Sequence, residues 1–261
     1  MKDLFRQAVE KFGSITAVKA AIGALKKRLG IGSRRHGYNG EKVFSERYGV
    51  FFNIMGGKLE GLKALSTSCL NNVLCATHRL VNGSICQKCF SVNTQGMYKG
   101  LRDRLIKNGE VLKSTLIPVE EWPELNDRFF RIESFGDIEN EVQARNYLHF
   151  ILKNPETMFG WWTKNPVILD NALKLEGFEG GNKPRNCVFL VSSLMENHVA
   201  GIDNIRRVFP WVDKEFCVLS PEFVLLNPEY ESKINCGARQ CMACKCCYTH
   251  NSITTVFELE K

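Results

Sequence analysis

Residues 127–140 read DRFFRIESFGDIEN. Phe129, Arg131 and Glu133 alternate with Phe130, Ile132 and Ser134 at the two-residue period of a strand. Gly136 supplies a turn, and a helical pattern follows over 139–153. The same order of parts recurs downstream. TMFGWWTK (157–164) is an aromatic strand ending in Thr163 and Lys164, followed by a helix over 166–176 begun by Pro166. CVFLVSS (187–193) is a strand ending in Ser192 and Ser193, and FCVLS (216–220) is a short strand. Upstream, RYGVFFNIM (47–55) reads as the first strand, and 91–108 as a helix ending near Gly109. Strands alternating with helices of about ten to fifteen residues predict βα units and a parallel sheet, open or closed.

The ends of these strands carry the candidate chemistry. Ligands bind at the carboxyl ends of the strands in parallel α/β folds, so Ser134, Asp137, Thr163, Lys164 and Ser192 are expected on one rim. Arg131 and Glu133 place opposite charges on one face of their strand, which predicts a polar interior or an Arg131–Glu133 pair. Cys187 and Cys217 fall inside apolar strand patterns and read as core thiols. Trp161 and Trp162 pack or line a pocket.

The eleven cysteines are bunched. CGARQCMACKCCY (236–248) holds five, and Cys241, Cys244 and Cys247 keep a CxxC spacing with Cys236 five residues ahead. Such loops turn thiolates towards one soft metal more readily than they form disulfides. Cys246 breaks the rhythm and is the expected non-ligand. TSCLNNVLCATHRLVNGSICQKCF (67–90) holds a second group, Cys69, Cys75, Cys86 and Cys89, with His78 as an alternative ligand. Spacing leaves zinc and a [4Fe-4S] cluster both open, as one centre or two.

Charge is just as uneven. Residues 1–40 hold nine Lys or Arg against Asp3 and Glu10, a surplus equal to the whole chain's net +7. Two helices are expected there, over 2–12 and about 15–29, with Ser14 capping the second. This basic arm is the expected place for a nonspecific nucleic-acid contact or a host-protein contact. No run is apolar enough to span a bilayer and no signal peptide is expected, so a reducing cytoplasm is the expected compartment, that of the host if the chain is phage-encoded.

Taken in order, Cys86-Gln-Lys-Cys89-Phe90, Arg131 to Asp137, Trp162-Thr163-Lys164, Val191-Ser192-Ser193 and the terminal Cys236/Cys241/Cys244/Cys247-Tyr248 group resemble the phage and mobile-element proteins of the gene product 88 type. These are similar in appearance to radical-SAM-like barrels. The resemblance covers about residues 65–248 and excludes the basic arm. It implies a [4Fe-4S] cluster held by three of Cys69, Cys75, Cys86 and Cys89, with the open iron chelating S-adenosylmethionine. It also implies Gly136 and Asp137 near the methionine amine, and an auxiliary four-thiolate centre on the terminal group.

The expected fold is therefore α/β, a partial or complete parallel (β/α) barrel-like domain over about 41–230. A basic helical arm (1–40) precedes it and a Cys-rich metal-binding cap with a terminal strand (231–261) follows. Two functions are expected. In one, the chain is a phage or mobile-element iron-sulfur protein in which Asp137, Lys164 and Ser192, with Ser134 and Thr163, position a small cofactor or substrate while Arg131 and Glu133 line the interior. In the other, it is a noncatalytic, zinc-stabilised binding protein.

Overall fold

The computed structural model describes residues 2–31, 36–45 and 47–260. Its strands form one eight-stranded sheet in chain order: β1 (His36–Ser45), β2 (Val50–Gly57), β3 (Lys63–Leu65), β4 (Phe129–Ile132), β5 (Met158–Thr163), β6 (Cys187–Ser192), β7 (Lys214–Leu219) and β8 (Thr255–Leu259). β1, β2 and β3 pair antiparallel, and every pairing from β3 to β8 is parallel. The chain is α/β with a mostly parallel sheet, as the alternation of patterns predicts. Each crossover steps to the next strand in the same direction, and the order never reverses.

The helices are α1 (Lys2–Phe12), α2 (Ile15–Arg28), α3 (Val73–Leu80), α4 (Phe90–Met97), α5 (Lys99–Ser114), α6 (Glu141–Lys153), α7 (Pro166–Leu175), α8 (Ile202–Val208), α9 (Pro221–Leu226) and α10 (Cys241–Cys244). Strand alternation separates the sheet's two faces. Phe130, Ile132, Phe159, Trp161, Cys187 and Phe189 pack under α5, α6 and α7. Phe129, Trp162, Val188, Leu190 and Val256 face the other way and meet Cys246 and Tyr248 of the terminal segment. Fully burying such side chains stabilises by about 1.5–3 kcal/mol each. Both faces are covered, so the strands read as nearly continuous apolar runs. Cys187 and Cys217 are buried, in line with that reading.

One glycine shapes the second face. A Cβ on Gly160 of β5 would stand 2.8 Å from the Cys247 carbonyl oxygen and 2.8 Å from Tyr248 Cε1. Only a strand without a side chain there lets the terminal segment lie on the sheet.

Two local expectations change. The single helix expected over 91–108 is broken at Tyr98 (φ −116, ψ 87) into α4 and α5, and α5 runs through Gly109 to Ser114. Gly109 is buried with Leu105 and Leu112 of the same helix, and a Cβ there would stand 3.6 Å from Thr67 Cβ. That packing outweighs the roughly 1 kcal/mol helix penalty of a glycine. The second change concerns β4, which stops at Ile132 because Glu133 takes φ +54. Alternation ends there, so Arg131 and Glu133 do not share a face.

The basic segment docks onto the domain. Ala8, Val18 and Leu25 are buried, Lys11 Nζ donates to the Leu225 carbonyl (3.0 Å), and Arg28 pairs with Glu231 (2.8 Å). Ser14 caps α2 by accepting from Ala17 N at 3.1 Å. Lys19 and Lys27 remain exposed. Arg34 and Arg35 lie outside the described residues. Among the described residues, no helix is long and apolar enough to cross a membrane.

Candidate functional site

The chain leaves β3 through Ser66, Thr67 and Ser68 and reaches Cys69 at the carboxyl end of the parallel strands. Cys69 is 2% exposed. Its thiol donates to Ser91 Oγ (3.3 Å) and accepts from Gln95 Nε2 (3.2 Å). Asn72 then begins α3: its Oδ1 accepts from Cys75 N (2.8 Å) while its Nδ2 donates to the Asp137 carbonyl (2.8 Å). Ser84 Oγ accepts from Cys86 N (3.0 Å), and Cys89 stands at the start of α4. Cys75, Cys86 and Cys89 are half-buried.

Two buried carboxyl groups hold this loop to the strand ends. Glu133 Oε1 accepts from Tyr147 Oη (2.5 Å), Thr67 Oγ1 (2.7 Å) and Gln143 Nε2 (3.0 Å). Its Oε2 accepts from Thr67 N (3.1 Å) and Gly136 N (3.2 Å). The expected Arg131–Glu133 pair is therefore replaced. Arg131 stacks on Trp162, 3.8 Å from the ring centroid, and touches Glu133 only through the backbone carbonyl (3.2 Å). Asp137 Oδ1 accepts from Thr163 Oγ1 (2.7 Å) and Ile138 N (2.8 Å), and its Oδ2 accepts from Lys164 N (2.8 Å). Burial raises both carboxyl groups above the usual range. For Glu133 the bonds from Tyr147 and Thr67 pull the other way, and for Asp137 the charge and N–H of Lys164 do so.

The rim residues expected from sequence meet here to different degrees. Asp137, Thr163 and Lys164 form one bonded unit. Ser134 is 7% exposed, and its hydroxyl has no hydrogen-bond partner among the described residues. Ser192 ends β6, the neighbour of β5. Gly136 has a packing reason to lack a side chain, since a Cβ would meet Thr67 Oγ1 at 2.7 Å and the Thr67 carbonyl oxygen at 2.8 Å.

The four upstream cysteines converge on the same place. Burial raises the Cys75 thiol, with Asp137 and Glu133 adding to the shift. Burial also raises Cys86, which Lys164 opposes. Cys89 is lowered by its contact with the Cys69 thiol, by the N–H groups of Ser91 and Val92 and by Lys164, while burial opposes. His78 lies in the same field, lowered by burial against Asp137.

The terminal cysteines form a second assembly at the other end of β3. Cys241 N donates to the carbonyl of Lys58, five residues before β3, at 2.9 Å. Cys236, Cys241, Cys244, Cys246 and Cys247 line a cavity of about 400 Å³. Lys58 Nζ reaches Cys236 Sγ (3.0 Å) and Glu258 (2.6 Å). Burial pushes the Cys236 thiol up to about 12, with Glu258 adding and Lys58 opposing. Cys246, expected to be the odd thiol, also faces the cavity and is lowered by a hydrogen bond from Cys247. The first strand of the parallel set thus separates the two thiol groups. Among the described residues, no three His, Cys, Asp or Glu side chains stand ready to hold one ion. The donor chemistry does suit a soft metal, because thiols are gathered at both ends of β3 and cations oppose them at each.

Sequence reading did not find Thr67, Gln143 and Tyr147 around Glu133, Gln95 beside Cys69, or Lys58 and Lys214 beside the terminal thiols. The one local signal was Gln143 and Tyr147, polar groups four residues apart on a helix whose buried side also carries Ala144, Leu148 and Ile151.

Fold and site together define an α/β protein with a buried carboxylate rim and two opposed thiol groups. Compared with protein-family models, with curated proteins and with solved structures, the chain finds no match.

Proposed function

We infer that the chain is an iron-sulfur metalloprotein of phage or mobile-element type, with a radical-SAM-like site at the carboxyl ends of a partial (β/α) barrel. One observation carries the reading. Cys75 and Cys86 share an electrostatic field with Asp137 and Lys164, Cys89 shares that of Lys164, and Cys69 interacts with Cys75 and Cys89, at the ends of parallel strands that follow one another in a single direction. Three of the four would hold a [4Fe-4S] cluster, and S-adenosylmethionine would bind beside it. When bound, the cluster supplies one electron for cleaving that cofactor.

The chain's own residues supply position. Glu133 ties the cysteine loop at Thr67 to the turn at Gly136. Asp137 fixes Thr163 and the Lys164 backbone, which leaves the Lys164 ammonium towards the thiols. The orphaned Ser134 hydroxyl offers a hydrogen bond to a bound polar group, since a buried hydroxyl without a partner costs about 1–3 kcal/mol. Cys236, Cys241, Cys244 and Cys247 would hold a second, closed centre, which is structural because no position is left vacant.

Anaerobic purification followed by iron, sulfide and zinc analysis tests the reading. Iron with matching sulfide supports it, and zinc alone overturns it in favour of a noncatalytic, zinc-stabilised binding protein. Exposed Lys19 and Lys27 on α2 favour a polyanion contact in that second reading.

A further inference from the structure

Lys214, in β7, is 1% exposed. Its ammonium donates to Asn251 Oδ1 (2.7 Å) and the Ile253 carbonyl (2.6 Å), both neutral. It forms no ion pair among the described residues, because the adjacent Asp213 carboxylate is taken by Lys183 and His250. Burying an ammonium without a counter-charge costs several kcal/mol, so the missing anion calls for an explanation. Cys246 and Cys247 lie within its electrostatic reach. Lys214 stands behind the terminal cavity, holding Asn251 and Ile253 of its lining, whereas buried Lys58 lines the cavity itself and contacts Cys236. The cavity lining carries Lys58, Arg239 and Lys245 and no carboxylate among the described residues. Glu258 holds Lys58 through Oε1, at 2.6 Å, without itself lining the cavity.

We propose that the terminal cavity is built for a metal–thiolate centre of net negative charge, with Lys214 as its charge-compensating positioning residue and Lys58 as the positioning residue that hydrogen-bonds Cys236. Four thiolates around a divalent ion, or around a cluster core of charge 2+, leave two negative charges. Lys214 brings one unanswered positive charge towards Cys247, and Lys58, already paired with Glu258, brings a hydrogen bond to Cys236. The inference rests on the reading of Cys236, Cys241, Cys244 and Cys247 as metal ligands. It adds the sign of the centre's charge and the residues that answer it.

Cobalt(II) is the probe, added anaerobically to metal-free full-length protein, with binding read from the thiolate-to-cobalt absorption band. The part of the band lost in the Cys241→Ser, Cys244→Ser double variant reports the terminal site. Lys214→Met should weaken that part about 10- to 100-fold, the scale of residues that support metal ligands. The same substitution should raise the thermal stability of the metal-free protein, since it removes an unanswered buried charge. A residue needed only for packing would move both readouts downward. Lys58→Met removes the hydrogen bond to Cys236 and should also weaken cobalt. If Lys214→Met and Lys58→Met bind cobalt like wild type, or if Lys214→Met fails to fold without metal, the inference is overturned. If the double cysteine variant keeps the whole band, the terminal metal reading itself falls, whatever the lysines do.

Discussion

Gly160→Ala tests the packing that places the terminal thiols against the sheet. The added methyl group would stand 2.8 Å from the Cys247 carbonyl oxygen, 2.8 Å from Tyr248 Cε1 and 2.9 Å from Trp162 Cζ3. One of those atoms is backbone and another belongs to a fully buried ring, so neither yields cheaply. Overpacking of this kind costs about 1–3 kcal/mol. Against it, replacing glycine stiffens the unfolded chain and stabilises by about 0.4–1 kcal/mol, since Gly160 is not among the positive-φ glycines. The net loss is about 1–2 kcal/mol, a fall in Tm of about 2–8 °C for a chain of this size. Relief would move the turn that carries Cys246 and Cys247, so the terminal site should also bind cobalt more weakly. Thermal unfolding followed by circular dichroism, with a cobalt titration on the same samples, measures both effects. A Tm that rises by a degree or two would mean that position 160 faces open space, and the placement of the terminal segment would be wrong.

Glu133→Gln should orphan two of the five donors around that carboxylate, at about 1–3 kcal/mol each. A loss of about 4 kcal/mol lowers Tm by about 8–16 °C, and an unchanged Tm would show that the network contributes little. Gly136→Ala should disturb Thr67 and reduce metal content at the upstream thiols, leaving the terminal cobalt band intact; metal analysis of the purified variant decides it. Replacing Lys19, Lys26 and Lys27 together with glutamate should abolish any salt-sensitive binding to single- or double-stranded nucleic acid, and binding retained in a filter assay would place the contact elsewhere.

The fold was legible where periodicity and burial agree. Phe129 to Ile132, Trp161 and Cys187 to Leu190 announce strands because both faces of the sheet are covered. Ser14 and Pro166 announce helix starts through local chemistry alone. The helix expected over 91–108 differs at both ends of α5: the break falls at exposed Tyr98, where neither Gly nor Pro stands, and Gly109 lies inside the helix, buried with Leu105 and Leu112, where it does not act as a stop. Arg131 and Glu133 were misread for a different reason: the two-residue period holds only while φ stays negative, and Glu133 leaves the strand geometry. The cysteines were legible as two groups from spacing. Their separation across β3 was not, because it depends on which end of one short strand each loop leaves. Lys58 and Lys214 were invisible for the same reason, since their partners lie 178 residues away in one case and 37 in the other.

A reactive iron-sulfur site on the strand rim, as proposed for the upstream thiols, has a direct chemical signature. Anaerobically purified protein, reduced and mixed with S-adenosylmethionine, should release methionine, while the Cys86→Ala, Cys89→Ala double variant should release none yet keep the metal of the terminal group. A wild-type protein that contains no iron and leaves S-adenosylmethionine intact would contradict the account.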